Sequence, residues 1–146
     1  MFLLAILIAA VSVLANSLDA QEINWVKIHS KIYPGVEIFY ETGNNTTQEA
    51  NNTVVNFGRI LIVYDVDFEK TLLDRTFKAR SVVKHVAIDC KTGITAPVSD
   101  TYFAMPFPGS TDRPIVRVRH SLTSVDMTMR LSKKLQLYSI LCPTYI

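Results

Sequence analysis

Apolar and polar positions alternate along much of this chain, and the alternation predicts an antiparallel sheet. Residues 21–30 carry Ile23 and Trp25 on one parity and Val26 and Ile28 on the other, which reads as a first strand. Tyr33-Pro34-Gly35 is a turn, because proline presets φ and glycine permits a positive one. Residues 36–41 return as a strand, with Val36, Ile38 and Tyr40 on one face and Glu37, Phe39 and Glu41 on the other. Residues 42–53 are polar without a period and read as a loop, with Asn-x-Thr patterns at Asn44, Asn45 and Asn51 that such composition produces by chance. Residues 56–67 are apolar on both parities from Ile60 to Val66, as expected of a strand in the middle of a sheet. Residues 68–76 read as a polar connection with room for a helical turn.

The second half repeats the pattern. Residues 77–90 predict a long strand, with Val82, Val86, Ile88 and Cys90 on one face and Val83, His85, Ala87 and Asp89 on the other. Lys91-Thr92-Gly93 is a turn, and residues 94–105 return through Tyr102 and Phe103. Residues 106–113 form a loop and 114–120 a short strand. Residues 121–142 read as a helix: Ser121 or Thr123 caps it, Asp126 suits its first turns, and Leu122, Val125 and Met129 recur at helical spacing. A strand over 135–141 competes, since LQLYSIL also alternates. The expected fold class is α+β: four to six antiparallel strands backed by a C-terminal helix. Leu122, Val125 and Met129 are then expected to pack on Val82, Val86 and Ile88, leaving His85 on the opposite face.

The first 20 residues differ from the rest. They are almost wholly apolar up to Ala15 and end in small residues, which fits a secretory signal peptide better than a span of ~20 apolar residues. Cleavage is expected after Ala15 or Ala20, although no Lys or Arg precedes the apolar run, and an uncleaved anchor helix is the alternative. Residues 21–146 are then a single exported domain with no further membrane span. In an exported chain, two cysteines favour a Cys90–Cys142 disulfide over free thiols or a metal pair.

Charge changes the picture further. Residues 16–77 hold nine acids and five bases, and residues 78–146 hold four acids and ten bases. Arg117, Arg119, Arg130, Lys133 and Lys134 are therefore the candidate partner-binding residues, suited to an acidic protein surface, unless folding interleaves the two halves. A net charge of +2 does not suggest nucleic acid. No catalytic constellation emerges. His29, His85 and His120 lack metal-ligand spacing, Ser110 lies in no nucleophile elbow, Asp65 and Asp67 read as solvated, and no phosphate-binding glycine loop occurs. No catalytic residue, metal or cofactor is assigned. Tyr33, Phe39, Tyr40, Tyr102, Phe103 and Phe107 gather near turns and strand ends, as interface anchors or as core.

Three stretches carry a family resemblance: Trp25-Val26-Lys27-Ile28, Ile60-Leu61-Ile62-Val63-Tyr64-Asp65, and residues 79–90, which run from Ala79-Arg80-Ser81 to Ile88-Asp89-Cys90. With a second cysteine after a C-terminal helix, they resemble the bacterial surface-adhesin protein E-like family over most of residues 24–143. The resemblance implies a small sheet, a helix and one disulfide, in a non-enzymatic exported protein that binds host matrix or plasma proteins. No cysteine stands near Ala15 or Ala20, so a lipoprotein is not expected, and periplasmic and cell-surface locations stay open, as does a homodimer. The alternative is a periplasmic inhibitor or envelope accessory protein that acts through a protruding loop such as 106–113.

Overall fold

A computed structural model describes residues 22–28, 34–43, 45–50, 53–120, 129–130 and 136–143. The expected signal peptide, His29, Tyr33, Asn44, Asn51, Leu122, Val125, Asp126, Lys133 and Lys134 lie outside these residues. Eight antiparallel strands form one sheet: β1 (Trp25–Ile28), β2 (Val36–Glu41), β3 (Thr46–Ala50), β4 (Thr53–Leu72), β5 (Arg75–Asp89), β6 (Ile94–Phe103), β7 (Val116–Arg119) and β8 (Met129–Arg130), followed by helix α1 (Gln136–Leu141). The order is β1-β2-β4-β5-β6-β7, with β3 paired to β4 and β8 to β6. One six-residue helix beside eight strands fits the α+β expectation only loosely. No helix of the described residues is long and apolar enough to cross a membrane.

Strand β4 lies in the middle of the sheet, as its two apolar parities require. Leu61 is fully buried on one face and Ile60 is buried on the other. Three expectations are corrected. The polar stretch 42–53 contains β3, whose exposed Thr and Gln residues pair with the start of β4. An edge strand open to water on both faces needs no apolar alternation, and so resembled a loop. Residues 68–76 are not a helical connection. They complete a two-stranded ribbon, 68–72 against 75–79, that runs past the stretches of β4 and β5 paired to β2 and β6. Its two-residue turn puts both Leu73 (φ 50°) and Asp74 (φ 61°) in the left-handed region, as a tight hairpin demands. Between Val63 and Phe68 the β4–β5 register shifts, and Arg80 fills the irregularity by donating from Nε to the Tyr64 carbonyl at 2.6 Å.

The third correction is the C-terminal helix. Met129 and Arg130 are a strand opposite Thr95 and Ile94, and among the described residues of this stretch helix is present at Gln136–Leu141. The competing strand over 135–141 is overturned there as well. The apolar residues of LQLYSIL satisfy either period, and burial decides: Tyr138 and Leu141 share one helical face and sink into the sheet.

The helix covers one end of what we call the rear face. Tyr138 and Leu141 pack with Ile88 and Cys90, and Val86 and Leu137 join their margin. Val86 thus lies under the helix and His85 on the other face, as the strand parity predicts. A side chain at Gly58 would collide with Leu141, so this glycine sets how closely the helix approaches. Asn56 Nδ2 donates to the Leu141 carbonyl at 2.7 Å, and the Cys90–Cys142 disulfide, with Cα atoms 5.6 Å apart, fixes the helix end to the end of β5. Val82 belongs to a separate cluster with Ala79 and Tyr102 under the ribbon. The opposite, front face buries Phe39, Leu61, Val63, Val83 and Phe103. The loop 104–115 lies over it: Ser81 Oγ donates to the Met105 carbonyl at 2.6 Å, and Phe107 meets Phe39 edge-on at 5.1 Å.

Candidate functional site

The front face carries a break in its apolar core. Register places Arg59, His85, Ser99 and Arg119 on one rung across β4, β5, β6 and β7, and Leu61, Val83, Thr101 and Arg117 on the next. Partners on a rung point to the same face, so polar and basic side chains from four strands meet above Val83 and Phe103. They enclose a cleft of about 230 Å³, bounded by Arg59, His85, Ser99, Thr101 and Arg117 over that apolar floor. A bulge at Val98 lets these rungs form. Pro97 pairs with Val86 and Ser99 with His85, so Val98 is the extra residue, and its carbonyl accepts from His120 N at 2.9 Å.

Its charges are held unequally. Buried Glu41 receives Arg59 Nη1 at 2.9 Å, and the same guanidinium lies 5.9 Å from the centre of the Trp25 ring. Arg117 donates from Nε to Thr101 Oγ1 at 3.1 Å, and among the described residues no carboxylate comes within ion-pair distance of it. His85 is held below the ordinary histidine value by partial burial first, then by Arg59 and Arg117, against an opposing pull from Glu41. The folded chain therefore binds this proton less readily than the unfolded chain does. The associated stability is complete above the unfolded value of ~6.5 and is lost as pH falls through the lower folded value. His85→Gln is expected to flatten that part of the acid-side decline in thermal unfolding midpoint below about pH 6.5. A decline identical to that of the parent would assign it to other groups.

The cleft opens along the front face into a groove beside the loop. Glu41, Pro114 and Asp112 border its middle, and Ile23, Trp25 and Phe107 border its far end. Asp112 is already engaged, its Oδ2 accepting from Gly109 N at 2.6 Å. Shared lining residues thus lead from the basic cleft, past Glu41 and Asp112, to an aromatic end that also carries Glu22.

Of the basic residues singled out from sequence, Arg117 lines the cleft and Arg119 shares the His85 rung. Arg130 lies apart on β8, opposite Ile94, and Lys133 and Lys134 fall outside the described residues. Sequence reasoning missed Arg59, Ser99 and Thr101, and it placed His85 on the face opposite Val86, without metal-ligand spacing, and assigned it to no site. A signal was present: Arg59 interrupts the parity of Leu61 and Val63, and His85 that of Val83 and Ala87. The acidic half of the chain is partly neutralised from within, by Lys27–Glu37 and Arg59–Glu41. Of the aromatics, Phe39, Tyr102 and Phe103 are core, and Phe107 stays half exposed over the groove.

The rear face holds a second polar cluster. Asp100 Oδ2 lies 3.0 Å from Lys84 Nζ and 3.3 Å from His120 Nε2. Burial first, and Asp100 second, raise the Tyr64 and Tyr102 hydroxyls above the ordinary tyrosine value. The Lys84, Asp100 and His120 side chains tie β5, β6 and the segment after β7 together. Among the described residues no three metal-ligating side chains converge. Comparison with family models, with curated proteins and with solved structures finds no match to this chain.

Proposed function

We propose that this chain is an exported, non-enzymatic binding protein that receives acidic groups of a protein partner on its front face, in the manner of surface adhesins that bind host matrix or plasma proteins. One observation carries the reading: Arg59, His85 and Arg117 gather at an open cleft that continues into an aromatic groove. Basic side chains flanked by Trp and Phe are the composition of protein interfaces, and they give both steering and anchoring. The protein E-like resemblance supports the same class of partner, at a periplasmic or cell-surface location.

The test is kinetic. Immobilised full chain is exposed to matrix proteins, plasma proteins and an envelope extract at two salt concentrations. The association rate is expected to fall at least tenfold as the Debye length shortens from ~10 Å at 0.1 M to ~3 Å at 1 M. Reversing Arg117 and Arg119 to Glu is expected to act mainly on association as well. Binding indifferent to both salt and reversal would overturn an acidic partner.

A second reading, an inhibitor or envelope accessory protein, gains from a different element than expected. The loop 106–113 lies along the sheet with Pro108 buried, whereas the β4–β5 ribbon presents Leu73 at its tip, 95% exposed. Capture from the envelope extract alone, abolished by Leu73→Asp, would favour that reading.

A further inference from the structure

We propose that the cleft between Arg59, His85 and Arg117 is a subsite for a single oxyanion, bound by the Arg117 guanidinium and the Ser99 and Thr101 hydroxyls. The proposal rests on the front face being the binding face, and it names the chemical group received there. Three observations support it. The cleft has room for a small anion with its waters: about 230 Å³, against ~30 Å³ for each water in the liquid. Its donors come from two paired strands held by the sheet, β6 and β7, with His85 beside them on β5, so they are arranged before the ligand arrives. Its charge is incomplete. Glu41 answers Arg59, while among the described residues Arg117 has a hydroxyl partner at its Nε and no carboxylate, leaving its terminal nitrogens for a planar or tetrahedral oxyanion.

His85 makes the subsite proton-linked. The charged groups that face it are Arg59 from β4, Arg117 from β7 and Glu41 from β2, and the Phe57 ring stands 5.9 Å from its own. The two arginines discourage its protonation. An anion seated between them reverses that repulsion, so binding draws a proton onto His85, and by reciprocity the anion binds more tightly at lower pH.

Carboxylate, sulfate and phosphate share this chemistry, and separate titrations distinguish their sources. Full chain is titrated at constant ionic strength with sodium acetate, sodium sulfate and inorganic phosphate, and the His85 ring resonances are followed by NMR. A saturating shift with a Kd of ~1–10 mM is expected, accompanied by a rise in the His85 pKa. A preference for acetate points to acidic side chains of a protein. A preference for sulfate or phosphate points to a sulfated or phosphorylated group. Arg117→Gln, on an exposed edge-strand position, is expected to weaken binding about tenfold or more with an unchanged circular dichroism spectrum. Ser99→Ala tests the hydroxyl contribution independently. Arg75→Gln, at the turn of the ribbon, is expected to bind as the parent does. Shifts that never saturate, or that persist unaltered in Arg117→Gln, overturn the subsite. If partner binding meanwhile retains its salt dependence, the acidic-partner reading survives that result.

Discussion

Replacing Cys90 and Cys142 together by Ser is expected to lower the free energy of unfolding by about 4 kcal/mol, the chain-entropy value for a loop of this size. The bond closes 52 residues of sequence separation, and in that account it acts on the unfolded chain by denying it the open conformations of the loop. The loss is a large share of the ~5–15 kcal/mol available to a small domain. Urea unfolding of parent and double variant measures it. The slope against denaturant is expected to rise too, because an uncrosslinked unfolded chain exposes more surface. A loss under about 1 kcal/mol with an unchanged slope would show that residues 91–141 remain compact in the unfolded chain without the bond.

The elements legible in the sequence are those that bury apolar side chains in a strand period. Strand β2 alternates, with Phe39 and Glu41 buried between half-buried neighbours, and the later part of β5 buries Val82 and Ile88 on one face and Val83 and Ala87 on the other. The turns at Pro34-Gly35 and 91–93 follow from residues that tolerate or enforce their backbone, with Gly35 and Gly93 at φ 77° and 76°. The disulfide was legible because only two cysteines are present. Strand β3 was not, since it pairs at an edge and its Thr46, Thr47, Gln48 and Glu49 are exposed. The ribbon was hidden for a related reason. Its outer residues, Glu69, Lys70 and Lys78, are exposed, while Phe68 and Phe77 find burial only by packing with Tyr102 on the rear face.

The candidate cleft lies at a level that one-dimensional reading does not reach. Arg59, His85, Ser99 and Arg119 are 26, 14 and 20 residues apart in sequence and become neighbours only through register. Register in turn depends on the bulge at Val98. Were the strand paired regularly through Val98, that residue would face His85, Ser99 would face Lys84, and Ser99 and Thr101 would turn to the rear face, removing the hydroxyls from the cleft. Clustering of charge along the chain identified Arg117 and Arg119 but grouped them with Arg130, which pairs at the far end of β6.

Tyr138→Ala is expected to cost about 3–5 kcal/mol, as for other large aromatic truncations in a core. The ring is 1% exposed and sits among Ile88, Cys90 and Leu141. Its hydroxyl donates to the Cys90 carbonyl at 2.5 Å. Tyr138→Phe keeps the packing and strands that carbonyl, so about 1–3 kcal/mol is expected from the unsatisfied group alone. The difference between the two variants separates packing from hydrogen bonding. Combined with Cys90→Ser and Cys142→Ser, the alanine is expected to cost less than it does in the disulfide-bonded chain. The bond and the ring hold the same six-residue helix to the same strand end, and a helix that short has little stability of its own. Once the bond is gone the helix frays, and the ring contributes less packing to lose. A four-cornered cycle in urea measures this coupling, expected at about 0.5–3 kcal/mol for groups in direct contact. Strict additivity would mean that the helix stays seated without the disulfide, held by Leu141 against Gly58 and by the Asn56 amide on its last carbonyl.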